Sequence, residues 1–319
     1  MWRKLRAVLF STALLCPHAA PAGGLDRWRE FVVFDPGGVR KAEGIRVTYL
    51  GVNGYLLEAG GRALLVDPYF TRMPLGAVAF NAPIASDPKL VAEALGPLPR
   101  HIDALLVTHG HFDHLLDAPE IMRRTGARLI ASETAVNLVT AHGLSPLRCA
   151  AVAPDDPHRN ALSFGPWKVR VLGTTHDRLL GITPYPSEST ATRPRPKRPA
   201  DWIMGEPLAF LIEAAGRRIY IDSGGTLEAE LPPADIAPVD LAILGVALGD
   251  SRRRFAPLAR ALRPRYVLPS HQDDLFRPLA RGFSFGLLSG FPAVQRASAA
   301  GQIPGRLILL DYYRPWTLR

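Results

Sequence analysis

The sequence predicts an α/β fold in which two mixed β-sheets pack face to face and helices cover their outer sides, an αββα sandwich. Each half of the chain opens with short apolar strands separated by turn residues and then alternates helices with strands. Hydrophobic residues make up 47% of the 319 positions, which is enough for one large core. The 30 prolines and 28 glycines indicate frequent turns between short elements.

The first half begins as a β-meander, because apolar segments are separated by the turn sequences GVNG and GG. The predicted strands of this half are 45–50, 55–59, 62–67, 103–108 and 127–132. Helices are predicted over 87–95, 119–126 and 132–143, with Asp87 as the cap of the first helix and glycines closing the other two.

The second half repeats this order of strands followed by alternating helices and strands. The predicted elements are a strand over 167–175, a hairpin over 208–224 that turns at Ala215 and Gly216, a strand over 239–247, a helix over 255–263, a strand over 265–270, a helix near 292–300 and a final strand over 306–313.

The N-terminus has the order of a secretory signal peptide. Three basic residues precede an apolar run from Ala7 to Leu15, and small residues ending at Ala22 follow. We therefore expect cleavage after Ala22 and a periplasmic or secreted protein. The apolar run is too short for a membrane span, which needs about 20 residues, so no transmembrane anchor is expected after cleavage. The predicted divisions are a signal peptide over 1–22, an N-terminal extension over 23–44 and one domain over 45–319.

The sequence has two cysteines, and cleavage would remove one of them. Cys16 could mark a lipoprotein, but bulky Leu15 stands before it, where lipoprotein signals prefer a small residue. Cys149 would then be the only cysteine of the mature chain, so no intramolecular disulfide is expected.

The formal net charge of +9 predicts a moderately basic surface. Such a surface can attract anionic molecules, but charge alone says little about chemistry. Because no recognised nucleic-acid motif accompanies the charge, we expect a small-molecule substrate, for which an anionic group would suit the basic surface, and no nucleic-acid partner. The sequence does not indicate an oligomeric state.

The segment VTHGHFDH over 107–114 places four potential metal ligands within six residues, directly after a predicted buried strand. His109 and His111 can offer neutral imidazoles to one ion. Asp113 and His114 can face a neighbouring ion, and this mixture of nitrogen and oxygen donors suits zinc or a similar divalent metal. A metal centre is therefore predicted at the end of this strand.

The pattern H-x-H-x-D-H after a short hydrophobic strand resembles the signature of the metallo-β-lactamase superfamily. The remaining motifs of that family have candidates in the family's order, which are Asp67 after the third strand, His176 in TTHD, Asp222 in IYIDSGG and His271 in LPSHQD. The resemblance spans Ile45 to His271, and it implies the metallo-β-lactamase fold with a two-metal site.

By this resemblance, two groups of three residues each hold one ion. The first group is His109, His111 and His176, and the second is Asp113, His114 and His271. Asp222 would bridge the two ions through its two carboxylate oxygens. Asp67 would be a buried carboxylate that orients the ligand loop, by which we mean residues 107–114.

The resemblance also implies hydrolysis by water, without a protein nucleophile. Two divalent ions, zinc before manganese or iron, would hold a hydroxide between them and polarise the bond under attack. The residues expected to take part in catalysis are Asp113, His114 and Asp222, and Asp113 can also accept a proton from the attacking water.

Residues 49–70 resemble the branch of the superfamily that contains ascorbate-phosphate lactonase-like and N-acylphosphatidylethanolamine phospholipase-like enzymes. This likeness favours a small ester, lactone or phosphodiester as substrate. Two alternatives stay open: a mononuclear iron oxidoreductase on the same fold, similar to persulfide dioxygenases, and a metal-binding scaffold without catalytic activity.

The segment 177–206 is too long for an ordinary connection and directly follows His176, so it is a candidate lid or substrate rim. Its basic residues, which could meet an anionic substrate group, are Arg193, Arg195, Lys197 and Arg198. A solvated, proline-stiffened loop is the alternative. The apolar segment 72–84 could overhang the metals or pack into the core.

Overall fold

The computed structural model describes residues 24–36, 43–189 and 194–319. Two seven-stranded β-sheets pack against each other, and helices cover their outer faces. This arrangement confirms the predicted αββα sandwich. The predicted signal peptide and its cleavage site lie outside the described residues.

The first sheet carries the strand that leads into the ligand loop. Its members are β1 (Ile45–Gly51), β2 (Gly54–Ala59), β3 (Arg62–Val66), β4 (Ala104–Leu106), β5 (Arg128–Ala131), β6 (Cys149–Ala151) and β14 (Trp316–Leu318). Their spatial order is β14-β1-β2-β3-β4-β5-β6. The meander β1 to β3 is antiparallel, whereas β3 to β6 run parallel, so the sheet is mixed.

The second sheet follows the same plan. Its members are β7 (Ala161–Phe164), β8 (Trp167–Gly173), β9 (Leu208–Ala214), β10 (Arg217–Ile221), β11 (Leu241–Gly245), β12 (Tyr266–Ser270) and β13 (Arg306–Leu307), in the spatial order β13-β12-β11-β10-β9-β8-β7. The β9-β10 hairpin turns at Ala215 and Gly216 as predicted, with φ angles of 48° and 69°. Positive φ at both central residues is what the tightest hairpin turn requires.

Seven α-helices connect the strands of the described chain. They are α1 (Leu75–Ala79), α2 (Pro88–Leu95), α3 (Phe112–Leu115), α4 (Ala118–Thr125), α5 (Glu133–Thr140), α6 (Gly249–Leu262) and α7 (Phe291–Ala299). The Asp87 carboxylate accepts the N–H groups of Lys89 and Leu90, so it caps α2 as predicted. Gly126 ends α4 in the left-handed region, with φ 76°.

The core has three layers, one between the sheets and one beneath each set of helices. Side chains alternate between the two faces of a strand. Leu64 and Val66 of β3 therefore pack in the inner layer, while Leu65 packs towards the helices of the first sheet. The same alternation in β10 places Ile219 and Ile221 inside.

The C-terminal segment differs from the prediction of one strand over 306–313. Only Arg306–Leu307 pair with the second sheet, as β13, and the chain then crosses to the first sheet, where Trp316–Leu318 form β14. The reason is that Ile308 and Leu310 are buried between the sheets while Leu309 faces the outer layer, so the apolar run is shared by both sheets.

Two further segments contact the outer layers. The described part of the N-terminal extension forms a 3-10 helix over Leu25–Phe31, and Trp28 packs against Phe291 with ring centroids 5.0 Å apart. In the segment 72–84, Val78 packs against the core, in accord with the second interpretation of that segment, whereas Phe80 is 56% exposed. Within the described chain, no helix combines the length and apolar character needed to cross a membrane.

Candidate metal centre

Residues of the site follow the ends of several strands. Asp67 follows β3, the ligand loop follows β4, His176 comes three residues after β8, and His271 follows β12. Chain segments that leave neighbouring strands in the same direction emerge at one edge of a sheet, where loops can bring distant side chains together. The site is built at this edge of the sandwich.

The ligand loop follows β4 and runs into α3, and its backbone packs closely against residues 203 and 204. The N–H of Gly110 donates to the carbonyl oxygen of Met204 at 2.7 Å. A Cβ atom at Gly110 would lie 2.2 Å from the carbonyl oxygen of Ile203, so only glycine fits here. Because Gly110 has no side chain, the backbone between His109 and His111 can pack directly against the backbone of residues 203 and 204.

The first group consists of three imidazoles, two of them buried and that of His176 half-buried. Nε2 of His109 lies 3.0 Å from Nδ1 of His111. The ring centroid of His176 is 4.7 Å from each of the other two. Three nitrogen donors that face one another in this way could hold one divalent ion and leave a further position for water.

The second group adds a carboxylate to two imidazoles. Oδ2 of Asp113 lies 3.1 Å from Nε2 of His271 and 3.4 Å from Nε2 of His114. In each group, one ligand atom from every residue lies within 4.8 Å of the others. The rings of His109 and His114, one from each group, are 4.1 Å apart between centroids, so the two groups are adjacent.

The charges of the first group suit metal binding. Burial lowers the pKa of His109 and His111 well below the ordinary histidine value, and neighbouring imidazoles lower it further. Burial lowers the pKa of His176 to about 4. All three rings are therefore neutral at pH 7, which is the state that binds a metal ion.

The second group carries charge. Burial alone would raise the pKa of Asp113, but His114 and His271 hold it well below the ordinary carboxyl value. Burial would lower the pKa of His114, yet the carboxylates of Asp113 and Asp67 raise it to about 10. Asp113 is thus ionised, and without an ion His114 is protonated at neutral pH.

Asp67 lies where the sequence predicted, fully buried beneath the ligand loop. Its Oδ2 accepts Nδ1 of His114 at 2.8 Å and the hydroxyl of Thr108 at 2.6 Å. Its Oδ1 accepts the N–H of Thr108 at 2.8 Å, and Asn53 also donates to Oδ2. A hydrogen bond to Nδ1 leaves Nε2 of His114 as the atom that faces Asp113.

A buried ion pair that the sequence did not indicate lies two residues after His271 and contacts Val52, the residue that also contacts the His271 backbone. The N–H of His271 donates to the carbonyl oxygen of Val52 at 2.7 Å. Two residues later, Asp273 pairs with Arg72 at 2.9 Å, and both side chains are almost completely buried. A Cβ atom at Gly51 would lie 1.9 Å from Nη2 of Arg72, so this glycine provides the space for the ion pair.

The long segment 177–206 contacts the site through residues other than its basic run. The carbonyl oxygen of Pro184 lies 3.0 Å from Nε2 of His111, and the Tyr185 ring lies 5.9 Å from the His111 ring between centroids. Burial raises the pKa of Tyr185 to about 12, with a further contribution from Asp113. Nothing in the surrounding sequence distinguishes Tyr185, because the loop has no periodic pattern.

The structure does not bring the described basic residues of this loop together with the metal ligands. Arg195 and Lys197 line a separate cavity of about 320 Å³, together with Arg123 and residues of the 83–88 segment. Arg198 donates to the carbonyl oxygen of Asn81 at 2.7 Å. Arg193 lies outside the described residues. In this structure Arg195, Lys197 and Arg198 thus have partners other than the two ligand groups, and their contact with a substrate stays a prediction.

The structure also contradicts the predicted position of Asp222. Both carboxylate oxygens accept hydrogen bonds from the protein itself, and Oδ2 pairs with Arg254 at 2.9 Å. Asp222 belongs to neither ligand group. The next residue, Ser223, reaches the site instead, with Oγ 3.4 Å from Nδ1 of His109. Asp222 was assigned as a ligand because an aspartate follows β10, but the residue type does not reveal the direction in which its side chain points.

Comparisons with known proteins agree with this site and fold. The sequence profile of the metallo-beta-lactamase superfamily matches residues 47–186. A metal-dependent hydrolase of Pyrobaculum arsenaticum is 26% identical over 268 residues, which make up 83% of this chain and 100% of that protein.

Solved structures share the fold. A novel metallo hydrolase from Ignicoccus hospitalis superposes with a TM-score of 0.56 at 20% identity, covering 86% of this chain and 99% of that chain. A diiron β-hydroxylase from Streptomyces venezuelae superposes with a TM-score of 0.52 at 17% identity, covering 88% of this chain and 55% of that chain. The profile match includes every residue of the two ligand groups except His271, and the chain is similar to metallo-β-lactamase superfamily proteins in sequence over residues 47–186 and in fold over most of its length.

Proposed function

We propose that this chain hydrolyses a small ester, lactone or phosphodiester with the help of two divalent ions, expected to be zinc. The observation that carries the proposal is the adjacency of the two ligand groups. One offers three neutral nitrogen donors, and the other offers one carboxylate and two imidazoles. Mixed nitrogen and oxygen donors in groups of three are typical of hydrolytic zinc centres.

The ions, when bound, would lower the pKa of a coordinated water and polarise the bond under attack. The protein's own residues orient this chemistry. Asp67 fixes the ring of His114, and the low pKa of Asp113 keeps its carboxylate available as a ligand or a proton acceptor. No serine or cysteine nucleophile is needed for such a reaction.

Tyr185 is the residue that we propose for contact with the substrate. Its ring lies beside His111, and its phenol, like that of an ordinary tyrosine, is protonated at neutral pH; burial raises its pKa further, to about 12. A phenol that stays protonated can donate a hydrogen bond to an oxygen that becomes negative in the transition state. An ester, a lactone and a phosphodiester all develop such an oxygen.

The test combines metal content with turnover. Purified protein should contain two zinc ions per chain and should hydrolyse at least one compound of a panel that contains an aryl ester, a homoserine lactone and bis-p-nitrophenyl phosphate. His111→Ala should lose an ion and its activity, whereas the exposed His158→Ala should keep both. Unchanged metal content in His111→Ala would contradict the ligand assignment.

The alternatives give different results in the same experiment. One iron per chain with oxygen consumption and no hydrolysis would indicate the oxidoreductase. Bound metal without turnover on any compound would indicate the scaffold. Neither alternative is favoured by a particular contact among the described residues, whereas hydrolysis accords with the relatives.

Export to the periplasm or beyond is the remaining part of the proposal. It depends on the signal-like order of residues 1–22. N-terminal sequencing of protein recovered from the extracytoplasmic fraction should begin at Gly23 if the proposed cleavage after Ala22 is correct. A cell-associated protein that starts at Met1 would contradict export.

A further inference from the structure

We infer that the two ions of the proposed centre share no protein carboxylate, because Asp222 is committed to Arg254 and belongs to neither ligand group. This inference rests on the proposed metal-dependent function and deepens it. It concerns Asp222 and Arg254, residues that follow β10 and lie in α6 respectively.

The direction of Asp222 follows from the register of β10. The N–H of Asp222 donates to the carbonyl oxygen of Ile243, so the strand geometry continues through this residue. Ile221 faces the inner layer, and Tyr220 faces the outer layer beneath α6. Because side chains alternate along a strand, Asp222 points to the same side as Tyr220. That side holds Arg254 of α6.

The carboxylate of Asp222 has no acceptor position left for an ion. Its Oδ1 accepts the N–H of Gly224 at 3.1 Å and that of Gly245 at 3.2 Å. Its Oδ2 accepts Nη1 of Arg254 at 2.9 Å and the hydroxyl of Tyr220 at 3.3 Å. An ionised carboxylate offers about four lone-pair positions. Four protein donors fill them.

The pair is also closed off from the solvent. The side chains of Asp222 and Arg254 are 1% and 3% exposed. Moving the carboxylate to a metal would leave a buried guanidinium without its anion, which is a large cost in a low-dielectric interior. We therefore expect Asp222 to keep its ion pair with Arg254 when metal ions bind nearby.

The turn after Asp222 is too tightly packed to bring another carboxylate to the site. A Cβ atom at Gly224, where φ is 110°, would lie 3.1 Å from Cβ of Ser251, and one at Gly245 would lie 2.1 Å from the carbonyl carbon of Ser223. Glycine alone fits at these positions. The side chain that this turn does present to His109 is the hydroxyl of Ser223.

The consequence is a centre with one anionic ligand for two cations. Among the six residues of the two groups, Asp113 is the only carboxylate, and it belongs to the second group. The first group is neutral. Because no carboxylate of the described residues links the groups, filling one should not require the other, and a ligand shared between the ions would come from solvent or substrate.

The experiment compares zinc binding of four proteins by equilibrium dialysis and elemental analysis. They are wild type, Asp222→Asn, the double variant Asp222→Asn with Arg254→Met, and Asp113→Asn as the control that removes a ligand. Asp222→Asn leaves Arg254 without its anion and should lower the melting temperature by roughly 5–10 °C. The double variant removes both charges and should recover most of that loss.

Both Asp222 variants should bind as many zinc ions as wild type, with dissociation constants within about threefold, whereas Asp113→Asn should lose an ion or bind it at least about tenfold more weakly. Loss of one zinc ion in the double variant would overturn the inference. A crystal structure of zinc-loaded wild type gives a second readout that needs no variant. Asp222 should still contact Arg254, and a carboxylate oxygen bound to zinc would overturn the inference.

The outcome is distinct from that of the proposed function. Wild-type protein that binds fewer than two ions contradicts the two-metal proposal. The comparison of the double variant with wild type still decides whether Asp222 is a ligand. If Asp222 is not a ligand, the two proteins bind the same number of zinc ions, whatever that number is.

Discussion

The carboxylate of Asp177 caps the first turn of α6, accepting the N–H of Asp250 at 3.1 Å and that of Leu248 at 3.0 Å. The hydroxyl of Ser251 also donates to it. The cap comes from a segment about seventy residues earlier in the chain, and it directly follows His176. The start of α6 therefore fixes the position of one imidazole of the first ligand group.

We predict that Asp177→Ala weakens zinc binding in the first group by roughly tenfold and destabilises the fold by about 1–2 kcal/mol, because both the cap and the anchor of His176 are lost. Zinc titration and thermal unfolding with and without zinc measure these effects. Asp156→Ala, which removes an exposed aspartate with local contacts only, is the control. Equal zinc affinity in Asp177→Ala and wild type would show that the cap does not position His176.

The second prediction concerns Asp67, which holds both Thr108 and His114. Asp67→Asn should lower the zinc affinity of the second group by about 10–100-fold, because the amide cannot reproduce the charged acceptor that orients His114. The matched control is Asp240→Asn, a substitution at an aspartate that accepts the N–H of Arg218 away from the ligand loop. If both variants bound zinc like wild type, the proposed support of His114 would be wrong.

The third prediction concerns protons that zinc displaces. With a pKa of about 10, His114 carries a proton at pH 7.5 in the metal-free protein, and filling the second group should release about one proton per chain. The affinity of this group should therefore rise about tenfold per pH unit between pH 7 and 9. The first group should release no proton, since burial lowers the pKa of His176 to about 4 and leaves the ring neutral.

Calorimetric zinc titration at pH 7.5 in two buffers of different ionisation enthalpy measures the number of protons released. A total binding enthalpy that is the same in both buffers would contradict the protonated state of His114. The His111→Ala variant, which lacks the first group, should retain the buffer dependence.

The fourth prediction separates Tyr185 from the metal ligands. Tyr185→Phe should keep the zinc content of wild type and lower kcat by roughly tenfold, because the phenyl ring cannot donate a hydrogen bond to the substrate oxygen. Tyr266→Phe, at the far end of β12 where the ring packs on Trp316, should leave kcat unchanged. Equal kcat in Tyr185→Phe and wild type would exclude a role for the phenol in the reaction.

The sandwich and the six residues that the structure gathers into two ligand groups could be expected from the sequence alone. Strand and helix periodicities are local properties, so β1 to β5, the β9-β10 hairpin and α2 were predictable from their own residues, whereas α6 begins at Gly249, six residues before its predicted start. The ligand loop was predictable for the same reason, since His109 to His114 are neighbours along the chain. His176 and His271 were expected from the family resemblance, by their order after apolar strands.

Which of these residues meet in space depends on contacts between distant segments of the chain. Asp222 stands at the end of a strand like the true members of the groups, but the side of the strand that it occupies depends on the pairing register and on Arg254 in a distant helix. Tyr185 enters the site because its irregular loop folds back over His111, and no local pattern encodes that path. The types of the metal-binding side chains and their order can be read from the sequence. The direction of each side chain depends on packing between segments that are far apart in the chain.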